Sequence, residues 1–176
     1  MVDPKRKEIG DRLRTTKELT KYDLIEIVEW KFKELEGRRK RVLALISENE
    51  DAKIRSISKY VFSLDSSFDA QKVDLLRTLQ GVGVSIASAI LTFYNPNEYC
   101  VFDIRRIERE PFGKEPTNLY TTENYLKALL KLKEEAKKHN LSARTVEKAY
   151  FKKNMMLDVM SALQKFQDVR KDYTNK

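Results

Sequence analysis

Apolar residues recur at helical spacing along most of this chain, and no stretch alternates in the manner of a strand. Thr20 reads as an N-cap with Asp23 in the first turn, and Ile25, Val28, Phe32 and Leu35 then share one face as far as Gly37. Arg38 to Ser47 forms a second predicted helix with Val42, Leu45 and Ile46 inward. Asp51 caps a third carrying Ile54, Ile57 and Val61. The run Asp65-Ser66-Ser67-Phe68-Asp69 is a turn cluster, and Asp69 is placed to cap a fourth helix whose inner face is Val73, Leu76 and Leu79. A fifth, from about Val84 to Tyr94, is apolar nearly all round and is expected to be central and buried. Beyond Asn95-Pro96-Asn97 a short helix is expected to end near Glu110, before a loop framed by Pro111 and Pro116. A long amphipathic helix follows with Tyr125, Leu126, Leu129, Leu130 and Leu132, ending near Asn140. Ser142 then caps a helix through Val146 and Tyr150. The pattern breaks around Lys152-Lys153-Asn154, a last helix resumes through Leu157, Met160 and Leu163, and the tail from Lys171 reads as frayed. The expectation is an all-α, compact helical domain of about eight helices.

Composition sharpens this picture in three ways. A chain of 176 residues with a 41% hydrophobic fraction and no repeat or low-complexity linker is expected to be one domain over 1–176. Lys plus Arg number 35 against 27 Asp plus Glu, and a net charge of +8 suits a polyanion such as nucleic acid, although a protein can also simply be basic. The single cysteine, Cys100, excludes an internal disulfide and a cysteine-built metal cluster, and its apolar neighbours predict a buried, inert thiol. The single histidine, His139, sits at a helix end as a solvated residue, which removes most histidine-dependent catalysis. No apolar run approaches a membrane span and the N-terminus lacks the apolar core of a signal peptide, so an intracellular (cytoplasmic) protein is expected.

The most informative stretch runs from Leu75 to Arg106. It sets Gly81 and Gly83 in a Gly-Val-Gly turn between two apolar helical runs, with Asp103 beyond the second. Glycine accepts positive φ and lets another backbone approach closely. The helix that begins after the turn has first amides without intrahelical partners, and these, with the positive end of the helix dipole, suit a phosphate. Such a contact reads backbone and carries no base sequence. The plainer alternative is a tight helix–helix turn that needs its glycines only for geometry.

The longer pattern, Leu79-Gln80-Gly81-Val82-Gly83-Val84-Ser85-Ile86-Ala87-Ser88-Ala89-Ile90-Leu91 followed by Val101-Phe102-Asp103, resembles the helix-hairpin-helix (HhH-GPD) DNA glycosylases of the endonuclease III and MutY superfamily. The resemblance covers about 69–110, with the hairpin motif at about 69–94 and the aspartate segment at 99–110. It implies a DNA-binding protein of base-excision repair type that flips a nucleotide out of the duplex and cleaves its N-glycosidic bond. Asp103 would be the catalytic carboxylate, stabilising positive charge on the sugar and orienting water. Gly81, Val82, Gly83 and Ser85 would clamp the DNA backbone with Arg105 and Arg106 beside them, and a monovalent cation at the hairpin is the one cofactor allowed for. No metal centre is expected.

Bifunctional members of that family carry a lysine where this chain has Ser85, so a monofunctional enzyme without β-lyase activity is expected. Other lysines such as Lys31 could substitute, but nothing in the sequence brings them to the site. An aspartate before Ile104-Arg105-Arg106 is equally a natural N-cap, and a non-catalytic helix-hairpin-helix module that holds DNA or RNA is the alternative. Trp30 and Tyr22 are candidates to stack on a displaced base, with core or rim packing as the plainer alternative, and Gly37-Arg38-Arg39-Lys40-Arg41 either holds backbone phosphates or forms a solvated helical face beside Glu34 and Glu36.

Overall fold

The computed structural model describes residues 4–103, 120–156 and 160. These residues form an all-α arrangement without strands: α1 Pro4–Thr16, α2 Lys21–Lys31, α3 Glu36–Ser47, α4 Asp51–Ser63, a 3-10 turn Ser66–Phe68, α5 Asp69–Leu76, α6 Val84–Tyr94 and α7 Thr122–His139. An eighth helix, α8, covers 143–156. Arg105 and Arg106, the short helix expected to end near Glu110 and the frayed tail lie outside the described residues.

Helix α6 is the centre of the fold. Every residue from Val84 to Phe93 is buried, and α6 packs against α1, α2, α5 and α7. The sequence reason is its lack of a polar face, since a helix apolar all round must be covered on all sides. Its serine and threonine hydroxyls are each satisfied inside: Ser88 Oγ donates to the Ser85 carbonyl at 2.9 Å, Thr92 Oγ1 to the Ser88 carbonyl at 2.7 Å, and Ser85 Oγ to the Phe102 carbonyl at 3.0 Å. Helix α1, which the apolar pattern did not suggest, buries Ile9, Gly10 and Leu13. Gly10 permits that packing, because a Cβ there would stand 2.7 Å from the Phe93 carbonyl oxygen at the end of α6.

Local signals explain where the helices start. Thr20 and Asp23 form the expected capping box, with the Asp23 amide donating to Thr20 Oγ1 at 3.0 Å and the Thr20 amide to Asp23 Oδ2 at 3.1 Å. Asp23 is fully buried and is also held by the Arg12 guanidinium, with Nε to Oδ1 at 3.0 Å, which ties α1 to α2. Ser142 caps α8 through the Thr145 amide at 3.1 Å. Asp51 and Asp69, expected as N-caps, are instead the first residues of α4 and α5, and Asp51 accepts from the Lys21 amide at 2.6 Å.

Four expectations from the apolar pattern are corrected, the first being Leu45, expected inward on α3 but 38% exposed beside the buried Val42 and Ile46. Leu35 lies outside α2 and is 46% exposed, because α2 ends at Lys31 and Leu35 opens α3. Leu130 is 64% exposed on α7, whose buried stripe is Tyr125, Ala128, Leu129, Leu132 and Ala136. Helix α8 runs through Lys152-Lys153-Asn154 without the expected break, since a polar stretch need not interrupt a helix with a solvated face. No helix among the described residues is long and apolar enough to cross a membrane.

Candidate functional site

The glycine turn between α5 and α6 gives its two glycines different tasks. Gly81 has φ +80°, and a Cβ on it would meet Leu45 Cβ at 3.0 Å, Ile46 Cγ1 at 3.1 Å and the Val42 carbonyl oxygen at 3.1 Å. It is therefore a packing glycine, set against α3. Gly83 is exposed, with ordinary φ −89° and open space where a Cβ would be, and it stands as the N-cap of α6 without a side-chain cap. Among the described residues, the amides of Gly83, Val84 and Ser85 meet no acceptor, and the first bonded amide of the helix is Ile86, to the Gly83 carbonyl at 2.9 Å.

Asn49, in the α3–α4 connection, fixes the turn. Its side chain is buried, its Oδ1 accepts from the Gln80 amide at 2.8 Å, and its Nδ2 donates to the Gln80 carbonyl at 2.9 Å and to the Ile46 carbonyl at 3.1 Å. An amide side chain facing both polar groups of one peptide residue imitates a strand partner. Nothing in the local sequence of Asn49 announces this, because the partner lies 31 residues away.

Asp103 is positioned by α6 itself. The Ser85 hydroxyl donates to the Phe102 carbonyl, and the Phe102 amide donates to Ser88 Oγ at 2.8 Å, so two serines one turn apart grip the residue before the aspartate. The Phe102 ring is buried edge-on to Tyr120 and Tyr125, with centroids 5.7 and 5.6 Å away. Tyr99 to Phe102 are buried, Cys100 among them as expected, with its thiol pushed up to about 12 by burial. The Asp103 side chain emerges from this anchor 32% exposed. The Ser85 hydroxyl is thus committed to the Phe102 carbonyl.

Asp103 and Ser85 open into one cleft of about 1090 Å³, walled by residues 30–35, Arg38 and the face of α8 that carries Arg144, Glu147, Lys148 and Lys152. Helix α8 is brought there by the 96–97 turn, whose carbonyls accept from the Ala143 and Arg144 amides, each at 3.2 Å. Lys31 provides the feature that the sequence did not locate. Its side chain is 7% exposed, and Nζ donates to Asp103 Oδ2 at 3.5 Å. Burial lowers the pKa of this amine, Asp103 raises it, and Arg144 and Arg38 add to the lowering.

The cleft is cationic. Lys31, Lys33, Arg38, Arg144, Lys148 and Lys152 line it against Glu34, Asp103 and Glu147. Arg144 is ion-paired with Glu147, which also accepts from the Val101 amide at 3.4 Å. Burial, with Arg6 nearby, brings the Arg144 pKa down to about 9. Arg38 is exposed at the cleft with its guanidinium 4.8 Å over Phe32, whereas Lys40 is paired with Glu36 at 2.7 Å. Trp30 packs edge-on against Phe93 and lies under the guanidinium groups of Arg6 and Arg144, so its ring is engaged. Tyr22 is 62% exposed and does not line the cleft. His139 is exposed, 3.1 Å from Glu135. Among the described residues no group of three or more His, Cys, Asp or Glu side chains is gathered to hold a metal. Comparison with family models, curated proteins and solved structures finds no match for this chain.

Proposed function

We propose that this protein grips a nucleic-acid strand at the glycine turn and acts on it as a DNA N-glycosylase, with Asp103 as the catalytic carboxylate. The observation that carries this reading is that the Asp103 carboxylate stands half-buried in a cationic cleft of about 1090 Å³ that is also lined by Ser85, whose amide is one of the three acceptor-free amides at the start of α6. A cleft of this size matches those that enclose whole small ligands, and a base must leave its duplex to be reached at all. As the C1′–N bond breaks, its electron pair leaves with the base, which takes up a proton, and C1′ becomes cationic. Asp103 faces that charge and accepts the proton of the water whose oxygen adds to C1′.

The Lys31 amine supports a second outcome at the same site, which the serine at position 85 had argued against. With its pKa lowered by burial, the amine can add to C1′ in place of water as the base departs, its proton passing to Asp103. The sugar ring then opens to an iminium, and loss of the 2′ proton expels the 3′ phosphate. Hydrolysis of the remaining imine returns the lysine.

The test is single-turnover base release from duplexes carrying a panel of damaged or mismatched bases, with and without borohydride. The reading expects release that falls about 100- to 10,000-fold in Asp103→Asn, and a reduced covalent adduct that is absent in Lys31→Gln. Release at the wild-type rate by Asp103→Asn removes the role of that carboxylate. Release without an adduct leaves a monofunctional enzyme. Salt-sensitive binding with no release from any lesion leaves the non-catalytic binding module.

A further inference from the structure

Several cations on the helices are paired with an acid four residues away. Lys7 meets Asp11 at 2.8 Å, Lys40 meets Glu36 at 2.7 Å, Arg55 meets Asp51 at 2.5 Å and Lys127 meets Glu123 at 2.7 Å. Helix α8 gathers cations on one face instead. Arg144, Lys148 and Lys152 follow one another at four-residue steps, so they share a face and each step rises about 6 Å. Like charges at this spacing oppose helix formation. The one acid on that face of the cleft, Glu147, is taken by Arg144 and the Val101 amide, and among the described residues no carboxylate pairs with Lys148 or Lys152. Arg144 Nε is buried without an acceptor. Crowding shows in the lysine itself, since burial and then Arg144, Arg6 and Lys152 lower the Lys148 pKa. All three cations line the cleft that holds Asp103.

We propose that this face of α8 is a second phosphate-binding surface, where Lys148 and Lys152, with Arg144 behind them, hold the backbone of the strand whose other contact is the glycine turn. The inference rests on the nucleic-acid reading above and adds to it a contact from a separate element. Two lysines without a carboxylate partner among the described residues, following Arg144 on one face, disfavour their own helix until an anion arrives, and a phosphodiester backbone supplies anions in series along such a stripe. Two grips contributed by different elements would hold the strand across the cleft that contains Asp103, so that α8 contributes to orienting the extruded nucleotide as well as to affinity.

The experiment measures affinity for a duplex oligonucleotide carrying a stable abasic-site analogue as a function of salt, for the wild type, Lys148→Gln/Lys152→Gln and Lys148→Arg/Lys152→Arg. Each phosphate contact contributes about 0.9 to the slope of log K against log salt. The glutamine pair is expected to reduce the slope by about 1.8, the arginine pair to restore it, and the melting temperature of both to stay close to wild type. An unchanged slope in the glutamine pair, with the wild type binding normally, overturns this inference alone. A wild type that binds no nucleic acid overturns the underlying reading and this inference with it. A slope that the arginine pair fails to restore shows that packing rather than charge was lost, and also overturns the proposal.

Discussion

The two glycines of the α5–α6 turn respond differently to the same substitution, and this separates folding from binding. Gly81→Ala puts an L side chain at φ +80°, which costs about 1–2 kcal/mol in backbone strain. It also forces a methyl group to 3.0 Å from Leu45 Cβ and 3.1 Å from both Ile46 Cγ1 and the Val42 carbonyl, an overpacking of about 1–3 kcal/mol. The expected loss is about 2–5 kcal/mol, with each kcal/mol lowering Tm by about 2–4 °C in a chain of this length. Gly83→Ala meets open space at ordinary φ, and the weaker cap is offset by reduced unfolded-chain entropy, so the change stays within about 1 kcal/mol. Gly83→Glu is likewise expected to fold, because a carboxylate is welcome at a helix N-terminus. It sets a negative charge where the proposed grip would hold the strand's phosphate, and affinity for an oligonucleotide should drop about tenfold or more. Thermal unfolding and fluorescence anisotropy on the three variants check both halves. A Gly81→Ala protein as stable as wild type would refute the packing argument. A Gly83→Glu protein with undiminished affinity would refute the phosphate grip.

Further outcomes follow from the anchoring of Asp103 and the turn. Ser88→Ala removes the acceptor of the buried Phe102 amide; chemical denaturation should show a loss of about 1–3 kcal/mol, and base release should slow while DNA affinity holds. Asn49→Ala strips the partners from both polar groups of Gln80 and should cost at least about 1–3 kcal/mol, with DNA affinity reduced in the folded fraction. Because burial lowers the Lys31 pKa, its neutral form persists to lower pH than that of an ordinary lysine. Borohydride trapping should therefore survive below the usual lysine range and fall only as pH drops through the lowered value. A trapping profile that follows an unperturbed amine would contradict the burial argument.

Much of the helical frame was legible because helices advertise themselves through spacing and caps. The Thr20–Asp23 box, the Ser142 cap and the all-apolar α6 were each readable within a dozen residues of sequence. Helix α1 escaped because its buried residues, Ile9, Gly10 and Leu13, are few and one of them is glycine. At the candidate site, Asp103 and the glycines stood out in the linear pattern, whereas the division of labour between Gly81 and Gly83 depends on α3, which packs against only one of them. Lys31 and Asn49 were silent for the same reason. Their meaning comes from partners 72 and 31 residues away, and no local periodicity records such a meeting. The stripe on α8 was visible as residues, but a solvated helical face reads the same way until the cleft beside it is known.

The central claim is that the acceptor-free amides at the start of α6 hold a nucleic-acid strand beside Asp103. Backbone amide NMR during titration with a duplex carrying a stable abasic-site analogue tests it most directly. The account predicts that the signals of Gly83, Val84, Ser85 and Asp103 move together, at one midpoint that rises steeply with salt. Saturable binding that leaves those four signals in place, or no binding at low salt, would contradict it.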